Sequence, residues 1–297
     1  MIVTVTLNAA LDITYGVTRL DLGDTNRVGQ VHEHPGGKGL NVARVLHALG
    51  EPVLGCGLLG GRTGDIVRSR LRRTGINVAF TPIGGESRRT VTLAEGGRTT
   101  LLNEPGPQIT AAEWRRFRSD FEDLLDRTGA SVAVLSGSLP PGVPPDAYRI
   151  LADACHSGGT RVILDADGEA LGHGLAGRPD IVKPNAGELA RLGRTAAEVR
   201  AAGPGAVVLS RGADDLLALT PDGDWTATPP RISGNPTGAG DALVAALARG
   251  LAHGWSWPAR LRHGVALSAA AVRSEVAGAF EPDTYRSLLP HIRLRPL

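Results

Sequence analysis

Apolar and polar positions alternate from Ile2 to Leu7, the period-2 signature of a strand with one face against a core. A stretch rich in Thr, Val and Gly follows to about residue 34 and reads as short strands and turns. Gly36-Gly-Lys-Gly39 then leads into an apolar-periodic helix over Leu40–Leu49, which Gly50 stops. Val53 and Leu54 return to strand character, and Gly64–Thr74 predicts a helix. From Val78 to Leu102 strand and turn signals resume, through Gly84-Gly85, Thr90-Val-Thr-Leu93, Gly96-Gly97 and Thr99–Leu102.

From Thr110 the rhythm changes to long helix, buried strand, long helix. Thr110 with Glu113 forms a capping box for a helix to about Arg127. The apolar strand Ser131–Leu135 and the loop Ser136-Gly-Ser-Leu-Pro-Pro-Gly142 come next. Strands at Arg161–Leu164, Asp180–Val182 and Ala206–Leu209 alternate with helical segments. Continuous apolar strands between helices predict a parallel sheet covered on both faces. With no internal repeat or low-complexity linker, the expected architecture is one large α/β domain over residues 1–297. The polar, strand-rich pieces at about 13–34 and 78–104 are expected to form a small sheet beside it.

A chain of 297 residues that is 42% hydrophobic can bury a full core, which excludes disorder as its dominant state. A net charge of +2 leaves too little basic excess for a nucleic-acid partner. Cys56 and Cys155 have no metal-ligand spacing and read as reduced core thiols. The start carries no basic n-region, and no window approaches the roughly 18 apolar residues of a membrane span. The expectation is a cytoplasmic protein with no membrane partner. Lysine occurs at 38 and 183 alone, against 30 arginines (32 − 2). Codon bias accounts for the arginines; the two lysines both fall inside motifs and are either chance survivors of that bias or positions where a compact ammonium does what a planar guanidinium cannot.

The sharpest motif is Asn235-Pro-Thr-Gly-Ala-Gly-Asp241, followed by the helix-forming run Ala242–Ala248. Gly238 and Gly240 let a tight turn aim backbone N–H groups in one direction, and the positive end of the helix dipole lies there too. Such a turn suits an anion. Asp241 is then either a helix cap or a base beside an anion hole formed by Gly238, Ala239 and Gly240, taking the proton of a hydroxyl that attacks phosphorus.

Val182-Lys-Pro-Asn-Ala-Gly-Glu-Leu189 follows a buried strand and so lies at a carboxyl end, where ligands bind in open α/β sheets. Asn185 and Glu188, three apart, form an oxygen pair suited to Mg²⁺ or its waters, and equally a helix cap. Ser210-Arg-Gly-Ala213 is a small-residue turn after a strand, open to nucleotide phosphates. Two other matches weigh less. Gly55-Cys-Gly-Leu-Leu-Gly60 fits a dinucleotide fingerprint, but without a helix starting directly on it or an acid about 20 residues on. Gly36-Gly-Lys-Gly39 lacks the spacing and the Ser or Thr of a Walker A loop.

Together these pieces resemble the PfkB (ribokinase-like) family of carbohydrate kinases, in its phosphosugar branch of 1-phosphofructokinase and tagatose-6-phosphate kinase. The resemblance runs in order through Thr6-Leu-Asn-Ala-Ala-Leu-Asp12, Gly36-Gly-Lys-Gly-Leu-Asn-Val-Ala43 and Leu135-Ser-Gly-Ser-Leu-Pro-Pro-Gly-Val143. It continues through Asp165-Ala-Asp-Gly-Glu-Ala-Leu171, Lys183-Pro-Asn-Ala-Gly-Glu188 and Gly238-Ala-Gly-Asp241. It implies a three-layer α/β/α sandwich with a small β lid, ATP and Mg²⁺ as cofactors, and a homodimer through the lid.

By the same resemblance Asp241 is the catalytic base and Gly238, Ala239 and Gly240 the anion hole. Asp12, Gly37, Lys38, Asn41 and Ser138 hold the sugar, and Arg88 and Arg27 meet its phosphate. Lys183, Asn185, Ser210, Gly212, Ala213 and Gly240 bind ATP; Glu188 and Asn185 hold the metal through water. The chain departs from the pattern at Arg88-Arg-Thr-Val-Thr92, where relatives read Arg-x-Asn-x-Lys, and Arg89 stands as the compensating candidate. Asp214 and Asp215 follow the nucleotide turn and are expected to face solvent, and His32 and His34 read as partly exposed lid residues. The expected activity is phosphorylation of a ketohexose monophosphate, namely fructose 1-phosphate or tagatose 6-phosphate, with fructose 6-phosphate close behind. The alternatives are a kinase of a neutral sugar or nucleoside, and a catalytically dead sugar sensor.

Overall fold

The structure is a computed structural model that describes residues 1–95, 98–212 and 214–297. The turn expected at Gly96-Gly97 and the ATP-site candidate Ala213 lie outside the described residues. The first half of the chain runs β1 (Ile2–Thr6), β2 (Ala10–Val17), β3 (Gln30–Gly36), α1 (Lys38–Ala48), β4 (Val53–Gly60), α2 (Gly61–Arg73), β5 (Asn77–Ile83), β6 (Arg88–Glu95), β7 (Arg98–Asn103) and α3 (Ala111–Thr128). Then come β8 (Val132–Ser136), α4 (Ala147–Ser157), β9 (Arg161–Asp165), α5 (Gly168–Gly174), β10 (Ile181–Val182), α6 (Ala186–Leu192), α7 (Ala196–Ala201) and β11 (Val207–Leu209). The chain ends on β12 (Leu216–Leu219), β13 (Trp225–Ala227), α8 (Ala239–Ala252), α9 (Trp257–Val272), α10 (Pro282–Leu288) and β14 (Leu294–Pro296).

The large sheet has the order β14-β13-β12-β11-β10-β9-β8-β1-β4-β5. From β11 to β5 every pairing is parallel, while β12, β13 and β14 extend the β11 edge antiparallel. Its inner strands β1, β4 and β8 to β11 are buried on both faces, as their unbroken apolar runs require, while β5 and β12 to β14 toward the edges are partly exposed. Val3, Val5 and Leu7 pack with Phe117 and Phe121 of α3 and Tyr148 and Leu151 of α4. Ile2 points the other way, into a cluster with Val42 and Leu46 of α1 and the apolar faces of α8 and α9. The order reverses at β1, which lies between β4 and β8. The carboxyl ends beside such a switch point form a ready-made crevice.

The expected helix at 64–74 begins at Gly61, directly on the Gly55–Gly60 match, because β4 carries those glycines inside the sheet. At Gly57 the reason is packing: a Cβ there, at φ +148°, would lie 1.9 Å from the Thr6 carbonyl oxygen of β1. The capping box at Thr110 and Glu113 forms as predicted.

The small sheet has the order β3-β2-β6-β7, with β2 and β6 parallel. One part of the expected lid belongs elsewhere: residues 77–83 form β5 and pair with β4 in the large sheet. Leu11, Ile13, Tyr15 and Val91 face Val67 and Leu71 of α2 and fix the small sheet to the body. The opposite face is mainly polar, with Leu101 exposed on it opposite Thr92. There Asp12 is in register with His34 and Thr90, and Thr90 with Asn103.

Cys56 and Cys155 are free and buried, and burial pushes the Cys155 thiol up to about 12, so both stay inert. Among the described residues no helix is long and apolar enough to cross a membrane.

Candidate active site

Four parallel strands end at one place. Thr6 ends β1, Ser136 ends β8, Asp165 ends β9, and Lys183 follows β10; all four are almost fully buried. The N-terminus of α8 faces them. Gly238 caps that helix at φ +85°, where a Cβ would stand 2.9 Å from the Ala277 Cα, so glycine is demanded by both conformation and space.

Asp241 lies in the first turn of α8, 7% exposed, and its side chain is not spent on capping. Asn41 of α1 donates from Nδ2 to Asp241 Oδ2 at 2.8 Å. Burial and the Asp165 charge push the Asp241 carboxyl up to about 7, against the opposing pull of the Asn41 hydrogen bond and of Lys38 and Lys183. A carboxyl poised there suits a general base near neutral pH.

Both lysines of the chain converge on Asp165. Lys38 Nζ lies 3.2 Å and Lys183 Nζ 3.3 Å from its Oδ1, and Lys38 reaches Glu188 Oε1 at 3.2 Å. Burial alone would lower Lys38, but the carboxylates of Asp165, Glu188 and Asp241 outweigh it and hold the ammonium well above its ordinary range. Asp165 Oδ2 is buried without a partner among the described residues. Asn185 and Glu188 form a capping box on α6: Glu188 N donates to Asn185 Oδ1 at 2.8 Å and Asn185 N to Glu188 Oε2 at 2.7 Å. An isolated parallel bridge ties Asn185 to Ser210, which brings the β10 and β11 turns side by side.

A cavity of about 1130 Å³ joins these groups. Its walls include Asp12, Gly37, Lys38, Asn41 and Arg88, then Lys183, Asn185, Glu188, Ser210 and Gly212, and finally Gly238, Ala239, Gly240 and Asp241. Its apolar lining includes Leu243 of α8 and Ala269 and Val272 of α9. Thr90 Oγ1 donates to Asp12 Oδ1 at 2.5 Å, and burial raises the Asp12 carboxyl. A second cavity of about 410 Å³ adjoins it and holds Ser138, with Arg88, Gly37, Lys38 and Asn103 shared between the two. Arg88 donates from Nε to the Asn8 carbonyl at 3.1 Å and from Nη1 to that of Glu104 at 3.1 Å. Asn8 in turn donates to Ser138 Oγ at 3.1 Å.

Not every expected residue comes here. Arg27 is exposed in the loop between β2 and β3 and lines neither cavity. Arg89 pairs with Glu104 and lines neither cavity, so it does not compensate for Thr90 and Thr92. Asp214 is exposed at the cavity mouth, as expected; Asp215 is half-buried. His32 is exposed and His34 half-buried, its imidazole pushed down to about 4 chiefly by burial and then by Arg44.

Sequence reasoning missed two residues. Asp165 was legible as an acid closing an apolar strand. Asn103 had no local signal, because only the β6–β7 register places it beside Thr90.

A family model described as pfkB family carbohydrate kinase matches residues 5–284 of the chain. The chain belongs to this family. Among solved members, phosphofructokinase-2 from Escherichia coli in complex with potassium aligns at 29% identity and TM-score 0.90, over 98% of each chain. The same enzyme in complex with fructose-6-phosphate aligns at 28% identity and TM-score 0.88, again over 98% of each. A possible 1-phosphofructokinase from Thermotoga maritima shares the fold at 24% identity and TM-score 0.88, over 100% of this chain and 99% of that one. The pfkB fold, a large α/β sheet flanked by helices with a separate small sheet, is thus shared along the chain's length.

Proposed function

We propose that the protein transfers the γ-phosphoryl group of Mg·ATP to a hydroxyl of a ketohexose monophosphate, fructose 1-phosphate, tagatose 6-phosphate or fructose 6-phosphate. The observation that carries this reading is Asp241: a buried carboxyl pushed up to about 7, at a glycine-built helix N-terminus that opens on the shared cavity. A pure sugar sensor has no need of such a base. The neighbouring cavity with Arg88 and Ser138 gives a second anionic group a place to sit, which favours a phosphosugar over a neutral one. The Escherichia coli relative solved with fructose-6-phosphate points the same way.

In this reading Asp12 and Asn41 hold sugar hydroxyls and Arg88 the existing phosphate. Asp241 takes the proton of the attacking hydroxyl as its oxygen bonds to the γ-phosphorus. The bond from that phosphorus to the β-phosphate oxygen breaks in line, and ADP leaves with the electron pair. Backbone N–H groups at Gly238 and Gly240 face the charge on the transferred group, whereas the expected third donor, Ala239 N, is spent within the turn on the Pro236 carbonyl at 3.2 Å. The triphosphate lies along Lys183, Asn185, Ser210 and Gly212, with the base against Leu243 and Ala269.

The donor set fits a Mg²⁺ ion held mainly by phosphate and water. Glu188 Oε2 is engaged in the α6 cap, and among the described residues Asp165 Oδ2 has no partner and no three His, Cys, Asp or Glu cluster as ligands. Glu188 and Asn185, through water, and Asp165 would hold it, and it would neutralise charge between the phosphates. The small sheet is read as a lid over the sugar and as the surface on which a second copy pairs.

The test is ADP release with Mg·ATP against fructose 1-phosphate, fructose 6-phosphate, tagatose 6-phosphate, fructose, ribose and adenosine. Turnover confined to phosphosugars is expected. Turnover confined to neutral sugars or adenosine would overturn the substrate class, and silence beside intact sugar binding would favour the sensor. Asp241→Asn should lower kcat by about 10²- to 10⁴-fold while leaving sugar binding in place.

A further inference from the structure

Helix α1 carries Lys38, Asn41 and Arg44 at spacings of three, and each ends on a different part of the site. Lys38 reaches Asp165 and Glu188, and Asn41 reaches Asp241. Arg44, to which no role has yet been given, donates from Nη1 to the Ala277 carbonyl oxygen at 2.7 Å.

Ala277 lies in the segment between α9 and α10, which backs directly onto the anion-hole turn. A Cβ on Gly238 would come within 2.9 Å of Ala277 Cα and 3.2 Å of Gly278 N, so the two backbones are in contact. Gly278, at φ +75°, is pressed against α1: a Cβ there would stand 3.0 Å from both Asn41 Cα and Asn41 Oδ1. Two further bonds bind turn and segment together. Asn235 N donates to the Val272 carbonyl at 2.8 Å, and Asn235 Nδ2 to that of Glu275 at 3.2 Å. The turn that opens α8 therefore rests on the 272–278 segment, and Arg44 tethers that segment to α1.

We propose that Arg44 is a positioning residue for phosphoryl transfer: by fixing Ala277 it holds Gly238 in place, and with it the backbone N–H groups and carboxyl of 238–241. This rests on the reading of that turn as anion hole and base. The physical case is the nature of the tether. A charged guanidinium bound to a carbonyl in a partly desolvated position holds more tightly than a neutral donor. The groups it fixes act only when placed to well under an ångström. Arg44 also lies in the electrostatic field of Asp12 on β2.

The experiment compares wild type, Arg44→Met, Arg44→Lys and Gly278→Ala in steady-state kinetics with Mg·ATP and the best phosphosugar, with melting curves for each. Arg44→Met should lose roughly 10- to 100-fold in kcat, with KM for both substrates within about threefold of wild type. Arg44→Lys, and millimolar guanidinium added to Arg44→Met, should restore part of that kcat. Gly278→Ala displaces the same segment from the α1 side and should lower kcat likewise, which keeps the test open if Arg44→Met does not fold. An unimpaired kcat in Arg44→Met, a loss confined to KM, or a loss that neither lysine nor guanidinium relieves would overturn the assignment. With Arg44→Met unfolded, full kcat in Gly278→Ala would do the same. A wild-type chain that turns over nothing would overturn the kinase reading and this assignment with it.

Discussion

Asn41 and Asp241, two hundred positions apart, meet in a buried hydrogen bond of 2.8 Å from Nδ2 to Oδ2. The bond favours the ionised carboxyl, against burial and the nearby Asp165 charge, which favour the neutral one. Their balance leaves Asp241 at about 7. Because the base must be ionised to accept a proton, kcat/KM should fall as pH drops through about 7 in the wild type. Asn41→Leu removes the stabilising bond and should move that acid limb upward by about one pH unit, the equivalent of a charged hydrogen bond. A pH–rate series on both proteins checks this; a downward shift would contradict it.

The same carboxyl makes folding depend on pH. Its folded pKa, about 7, stands above the ordinary 3.8, so the folded chain binds the extra proton between those values. Its contribution is fully present below about 4 and is lost as pH rises through 7. Asp241→Asn, which carries no such charge, should therefore gain in Tm over wild type at pH 8, and the gain should shrink toward pH 5. Calorimetry across that range reads it out.

Asp165 holds two ammonium groups; Asp165 and Lys183 are almost fully buried, while Lys38 is one-third exposed (33%). Removing its charge leaves Lys38 with Glu188 but takes the ion-pair partner from Lys183. Asp165→Asn should cost about 3–5 kcal/mol in urea unfolding, the usual loss when one member of a buried pair goes. It should also weaken Mg·ATP protection of the fold. An unchanged unfolding midpoint would show that Lys183 finds another partner.

Gly57 tests the discarded dinucleotide reading. Alanine there meets the Thr6 carbonyl oxygen in a strained backbone conformation, so Gly57→Ala should destabilise the chain by about 2–3 kcal/mol or more. NAD should leave the wild-type Tm unmoved, whereas Mg·ATP at a hundredfold its Kd should add about 2.7 kcal/mol. Thermal shift with each ligand separates the two.

Arg88 and Arg27 make contrasting predictions. Arg88 lines both cavities, so Arg88→Met should raise KM for a phosphosugar by about 10- to 100-fold while barely touching a neutral sugar. Arg27 lines neither cavity. An Arg27→Ala effect on KM should therefore appear only at protein concentrations where sedimentation shows a dimer, with a second copy supplying the side chain.

The sequence alone determined whatever rests on near neighbours along the chain. Apolar runs gave β1, β4 and β8 to β11 of the large sheet but not β12 to β14, Thr110 and Glu113 gave the start of α3, and Gly238-Ala-Gly-Asp241 gave a helix N-terminus. These are local properties of backbone freedom, capping and periodicity. Only tertiary structure decided what depends on register and approach. Residues 77–83 look like the neighbouring lid strands in composition, yet their parallel register with β4 puts them in the large sheet. Asn185 and Glu188 resolved into a cap, with Glu188 turned toward Lys38, because α1 packs where its lysine can reach. Asp165 became the meeting point of both lysines, and Asn103 reached the cavities only through its pairing opposite Thr90. Such contacts join residues as far as 150 positions apart or set the register of a strand pair, and no periodicity encodes either, since they arise from how closed layers pack.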